Sequence, residues 1–396
     1  MKAILGGEQV SADKANDLSI INVIDQFNYS TQNDAYNEKF KKWRRNKDNP
    51  YTFSFEANKN EKVFVDTKGF VDSSAKDVEK DVLSRIFSAI GTAALLWMIA
   101  ENIIGRIGIY VCNLFGIDIH NNFFSSAIYG GSKEIVIALI VITSIKIIIP
   151  GLYLHFVFKL PGRVEFMSRL NNSTALLGAI AMALIVCTAT SLPSAYSNES
   201  KEIYDYFSST GTDVSVWDQW EFLVYTIFDI VIVSILTEML FRGAMFAVLR
   251  QFGDPFAIIV TSFTAGLLTM DPQEMPVVIL ISIVASYGMI SSGTILTPVA
   301  VSIVCKMYNL TILMIETDPT DRMPLTRNIF MIISLSAGII GFAFYWIRCV
   351  RKKRNGIASY SSELPTTARI FHSVKTFPYS ATALICIAIA AVRAAL

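Results

Sequence analysis

The chain has 396 residues, of which 53% are hydrophobic and 17% charged, with a formal net charge of +1. That is too apolar for a soluble globular domain, in which about a quarter of residues are charged. The basic residues form short clusters and not an extended stripe, so no nucleic-acid partner is expected.

Charge is unevenly spread along the chain. Residues 1–82 are rich in Lys, Arg, Asp and Glu, whereas 86–350 are mostly apolar. Met1 to Val10 holds one Lys and a short apolar patch, too short for the core of a secretory signal, so no cleavable targeting segment is expected. Further on, Lys39, Lys41, Lys42, Arg44, Arg45 and Lys47 surround Trp43. Such a cluster can lie on anionic lipid at about 1 kcal/mol per charge, and it is read here as an ordinary solvated helix face. Tyr51 to Phe55 and Lys62 to Val65 alternate apolar and polar residues across Asn58-Lys59-Asn60, which predicts a hairpin within a small cytosolic N-terminal region.

A helix needs about 20 apolar residues to cross the hydrocarbon core. Eight spans are predicted near 86–115, 135–158, 174–192, 222–247, 255–270, 275–291, 296–316 and 328–349. Orientation follows lysine and arginine in short loops. Lys159, Arg163 and Arg169 follow the second span, and Arg348, Arg351, Lys352, Lys353 and Arg354 follow the eighth. The segment 193–220 instead carries Glu199, Glu202, Asp205, Asp213 and Asp218 against Lys201. Both ends of the core are therefore expected in the cytoplasm, in a multi-pass protein of the plasma membrane. The expected division is an N-terminal cytosolic region 1–82, a transmembrane domain 83–350, and a basic segment with an apolar tail over 351–396. Ser380 to Leu396 follows Pro378 and is apolar except for Arg393, which fits either a short ninth span or an interfacial helix. The fold class is thus an all-α polytopic membrane protein of about eight transmembrane helices. Cys112, Cys187, Cys305, Cys349 and Cys386 show no paired spacing and are read as small buried apolar residues.

Charges inside a bilayer are costly and mark a site or a partner. Glu238 and Arg242, in Thr237-Glu-Met-Leu-Phe-Arg-Gly243, stand four apart on one helix face in the favoured order, and can neutralise each other. Asp229 lies nine residues before Glu238, which on a regular helix points it to the opposite side. Glu101, Asn102, Arg106 and Lys146 interrupt the first two spans, and a Glu101–Lys146 pair is expected as internal glue.

The run from Thr237 to Gly243, the apolar stretch Phe256 to Met270 and the segment Gly293 to Lys306 together resemble the core of the CAAX prenyl protease and bacteriocin-processing family of intramembrane glutamic-type proteases, over about 221–315. That family carries Glu-Glu-x-x-x-Arg-Gly, Phe-x-x-x-His and His-x-x-x-Asn. Glu238, Arg242 and Gly243 match the second glutamate, the arginine and the glycine of the first motif, and Pro298 a proline common before the third. Thr237 stands at the water-activating glutamate, Thr269 and Ser302 at the two histidines, and Lys306 at the asparagine.

The resemblance therefore implies a degenerate member. Neither threonine nor serine supplies a base of suitable proton affinity, and the lost histidines remove oxyanion donors. His120, His155 and His372 all lie outside the matching region, so no zinc site and no cofactor are expected. Ser302 and Lys306 are spaced for a Ser–Lys dyad, but the favoured reading has Lys306 in the vacated polar cavity, paired with Glu238. The leading expectation is a pseudoprotease: a membrane scaffold in a protein complex that binds a transmembrane or peptide partner. One alternative is an active intramembrane peptidase rebuilt around Glu238, Ser302 and Lys306. The other is a transport or channel component using Glu101, Lys146 and Asp229.

Overall fold

The computed structural model describes residues 20–22, 32, 34–46, 48–53, 56–58, 62–65, 69–72, 75–121, 128–167, 169–196, 219–316, 323–352 and 364–395. Lys47, the acidic residues from Glu199 to Asp218, and Lys353 with Arg354 lie outside them.

The protein is an all-α polytopic membrane protein. Helix α1 is Asp34–Arg44. Helix α2 runs through Ala75–Ile99, a π-helical turn at Ala100–Ile104, and Gly105–Leu114. Then come α3 (Ser132–Phe158), the single turn α4 (Gly162–Glu165) and α5 (Ser173–Tyr196). Helix α6, Gln219–Phe252, is interrupted by π-helical segments at Phe228–Val233 and Met239–Met245. The remainder are α7 (Asp254–Leu267), α8 (Glu274–Ser292), α9 (Leu296–Glu316), α10 (Met323–Lys352), α11 (Thr366–Lys375) and α12 (Tyr379–Ala395).

Among the described residues seven helices are long and apolar enough to cross a membrane: α2, α3, α5, α6, α8, α9 and α10. The pair α11–α12, bent by 78°, makes an eighth if it counts as one broken span. The predicted span at 255–270 is not among them. Its helix, α7, has 14 residues, about 21 Å of length against a hydrocarbon core of about 30 Å. It starts at Gly253, whose φ of 110° suits a residue without Cβ, with a proline in its first turn. An apolar run alone does not separate a short core helix from a span. Here the run is buried on most sides, including Thr261, Ser262 and Thr264.

Helix α5 is the hub of one half, packing on α8, α9 and α10. In the other half α2 packs on α3, α11 and α12, and α6 bridges to both α3 and α9. Small residues permit the tightest crossings. A Cβ on Gly91 of α2 would collide with the Tyr379 backbone at the start of α12. One on Gly288 of α8 would lie 2.6 Å from the Ala179 Cβ of α5.

The N-terminal segment is docked onto the bundle. Tyr36, Phe40 and Trp43 share one face of α1 and are buried, with Trp43 Nε1 donating to the Phe158 carbonyl at 3.0 Å. The basic cluster is therefore divided by helical spacing. Lys39, Lys42 and Arg45 are exposed, whereas Arg44 is buried and donates to the Phe53 carbonyl at 3.1 Å.

Part of the predicted hairpin, Ser54, Phe55 and residues 59–61, lies outside the described residues, and among those described Tyr51–Phe53 does not pair with Lys62–Val65. Strand β3 (Lys62–Val65) pairs with β4 (Gly69–Asp72), and β2 (Glu56–Asn58) pairs with β1 (Ile20–Asn22). The main chain of 51–53 has other partners: Gln251 accepts from Phe53 N at 2.7 Å and donates to the Tyr51 carbonyl at 2.9 Å. A short β5–β6 hairpin (Ile119–Asn121 with Ile128–Gly130) joins α2 to α3.

At the C terminus, Arg369 of α11 forms a buried ion pair with Glu79 of α2 and donates to the Phe252 carbonyl at 2.8 Å. Helix α12 then lies along α2, with the Tyr379 hydroxyl 2.9 Å from Thr264 Oγ1 and Thr382 Oγ1 donating to the Gly91 carbonyl at 3.3 Å.

Candidate functional site

Glu238 and Arg242 sit side by side in α6, the second at the heart of the π-helical segment Met239–Met245. Arg242 Nη1 is 3.0 Å from Glu238 Oε2, and both side chains are only 4% exposed. The other carboxylate oxygen, Oε1, accepts a hydrogen bond from Ser302 Oγ of α9 at 2.6 Å. The guanidinium reaches further to α8, where Nη2 donates to Ser282 Oγ at 2.8 Å and to the Ser282 carbonyl at 3.1 Å. One buried ion pair thus ties α6, α8 and α9 together.

Lys306 is not part of this cluster, contrary to the expected pairing with Glu238. Its Nζ donates to Asp229 Oδ1 at 2.7 Å and to the Asp229 carbonyl at 2.9 Å. The same contacts remove Lys306 from Ser302, so the Ser–Lys dyad is not assembled. The reason lies in α6. Each i→i+5 closure takes in one residue more than an α-turn, and each extra residue rotates the following face by about 100°. The π-helical segment Phe228–Val233, which contains Asp229, breaks the regular phase between Asp229 and Glu238. Both acids consequently reach α9, where Ser302 and Lys306 are one turn apart.

The remaining positions singled out in the sequence point elsewhere. Thr237 Oγ1 donates to the Val233 carbonyl of its own helix at 2.6 Å. Thr269 lies in the turn after α7, its hydroxyl bonded to the Gly266 carbonyl at 2.7 Å. Gly243 packs beside α4: a Cβ there would meet the Glu165 carbonyl and Phe166 at 3.5 Å, an ordinary contact. The histidines lie apart from the cluster. His120 neighbours Asn113 and Asp118, His372 hydrogen-bonds with Ser84, and His155 Nδ1 is 2.6 Å from Glu165 Oε2. Glu165 lies between spans, and burial pushes its carboxyl above the ordinary range, partly offset by the hydrogen bond to His155. Among the described residues no three His, Cys, Asp or Glu side chains gather as a metal-binding group.

The expected Glu101–Lys146 pair is present at 3.6 Å, with Trp97 standing over the ammonium. Ser282 escaped sequence reading, because a serine in an apolar run carries no signal until its partner is known. The π-helical segments escaped it as well. All three hold an intramembrane charge: Glu101, Asp229 and Arg242.

Chemically, the arrangement holds a carboxylate by both oxygens and a guanidinium by a carboxylate, a hydroxyl and a carbonyl. The fold and cluster define a helical membrane protein with a buried Glu–Arg–Ser clasp in α6–α9. Residues 219–308 match the Rce1-like family model, described as type II CAAX prenyl endopeptidase Rce1-like. The matched segment spans α6, α7, α8 and the first part of α9 and contains the whole clasp, so this region is similar to the CAAX-protease family. No curated protein and no solved structure matches the chain.

Proposed function

We propose that the protein is a catalytically inactive member of the CAAX-protease-like group, kept as a membrane scaffold that binds a transmembrane or peptide partner. The observation that carries this reading is the state of Glu238. Its carboxylate is engaged by Arg242 on one oxygen and by Ser302 on the other. The position that resembles the family's water-activating base is Thr237, which has no carboxylate to act as one and whose hydroxyl is turned back to its own helix. The Ser–Lys form of the peptidase alternative lacks its base, because Lys306 is held by Asp229. In the same reading the protein resides in the plasma membrane with its N terminus in the cytoplasm, supported by the lysine and arginine of its flanks.

Purification in a gentle detergent from the native membrane, followed by mass measurement of the intact assembly, tests the scaffold. A stoichiometric membrane-protein partner is the expected result. A monomer carrying a cleaved peptide would contradict it.

A further inference from the structure

Among the described residues two ion pairs near the middle of candidate spans lie outside the Glu238 clasp, Glu101–Lys146 and Asp229–Lys306, and they are covered differently. Lys146 has the Trp97 ring above its ammonium, 5.3 Å from nitrogen to centroid. The Asp229–Lys306 pair has no such lid among the described residues, and its side chains remain 36% and 30% exposed. Lys306 is the midpoint of α9, Leu296–Glu316, a helix long enough to span. The pair therefore sits at about the middle of the bilayer, where an exposed charge is most expensive.

Its surroundings form a polar stripe on an otherwise apolar surface. Asn309, nearly one turn along α9 from Lys306, is exposed, and its side chain has no hydrogen-bond partner among the described residues. Ser302, one turn back, and Thr226, three residues before Asp229, are partly exposed. Around them Met307, Leu223, Ile227 and Val231 are exposed apolar side chains suited to lipid or to another helix. Of the three ammonium protons two are spoken for by Asp229, and a hydrocarbon chain can accept nothing from the third.

We propose that this face of α6 and α9 docks a transmembrane helix carrying a neutral hydrogen-bonding side chain, an amide or hydroxyl, at mid-depth. The inference rests on the scaffold reading above and names the surface and the partner chemistry. The Asp229–Lys306 pair is neutral as a unit, so a charged partner would be left uncompensated. An amide instead donates to the carboxylate and accepts from the ammonium at once. Hydrogen bonds between polar side chains are a recurrent means of helix association in membranes.

The test uses the full-length protein in phosphatidylcholine vesicles with fluorescent transmembrane peptides of about 20 apolar residues that differ only in a central Asn or Leu. Energy transfer to labelled protein reads association. The Asn peptide should bind about three- to twentyfold more tightly than the Leu peptide. The preference should vanish in the double variant Asp229→Leu with Lys306→Leu, which removes both charges together and so strands neither. Asn309→Leu, which touches no ion pair, should reduce the preference and serves if the double variant fails to fold. Equal binding of the two peptides, or a preference that survives these changes, overturns the proposal. So does self-association of the protein through this face, lost in the double variant, since the occupant would then be a second copy. Peptide mass is followed in parallel: cleavage would overturn the non-cleaving reading, while the docking face is judged by binding preference alone.

Discussion

At the scale of single residues, the Glu238–Arg242 pair behaves as one unit because each charge is buried and held by the other. Arg242→Ala strands a carboxylate in the bundle and should cost about 3–5 kcal/mol of stability. The double change Glu238→Gln with Arg242→Met should recover much of that loss, and Ser302→Ala should cost less, about 1–3 kcal/mol, by freeing one oxygen only. Denaturation in mild detergent measures all three; a double variant as unstable as Arg242→Ala would refute the pairing. Glu165 gives a pH signature. Its carboxyl is raised above 4.5 in the folded protein, so the folded state holds its proton more tightly than the unfolded one. This favourable contribution is full below about pH 4.5 and is lost as pH rises through the raised value. Glu165→Gln should flatten the stability profile in that window, and an unchanged profile would show that the group does not contribute. The pairing of Glu238 with Arg242 was legible from their spacing. The partner of Lys306 was not, because α6 departs from regular helical phase at Phe228–Val233, and no residue type in that stretch announces a π-turn.

At the scale of elements, the apolar runs of α2, α3, α5, α6, α8, α9 and α10 were readable because hydrophobic length is a direct physical requirement for crossing lipid. Helix α7 was misread for the same reason: composition reports that a segment avoids water, not whether lipid or protein replaces it. The partner of the main chain of 51–53 was not legible, because it is the Gln251 amide, 200 residues away from Tyr51. The tail from Ser380, left between a short span and an interfacial helix, falls in α12, which lies against α2 at Gly91. Because backbone and not a movable side chain occupies the space above Gly91, Gly91→Leu should displace α12 outright. Hydrogen exchange along Tyr379–Ala395 is the measurement, with accelerated exchange expected throughout α12. Exchange at the wild-type rate would mean that this crossing does not hold the helix.

At the scale of the whole molecule, the N-terminal helix α1 and the C-terminal helix α11 dock on the bundle near the same place. Arg250 hydrogen-bonds to the Tyr36 hydroxyl at 3.0 Å, and Arg369 to the Phe252 carbonyl at 2.8 Å. Both docked elements should therefore lie on one side of the membrane, and in the proposed topology that side is the cytoplasm. A cysteine placed at exposed Asn46 should react with an impermeant thiol reagent only after the membrane is opened, and reaction in intact cells would invert the topology. The central proposal is that the Glu238–Arg242 pair of the matched segment serves as a clasp and not as a catalyst. Its most direct test is turnover by the purified protein in liposomes, given a panel of membrane-embedded and prenylated peptides. The account predicts no cleavage, and none after Thr237→Glu, since a restored base still lacks its oxyanion donors. Cleavage by the wild-type protein that disappears in Ser302→Ala would contradict it.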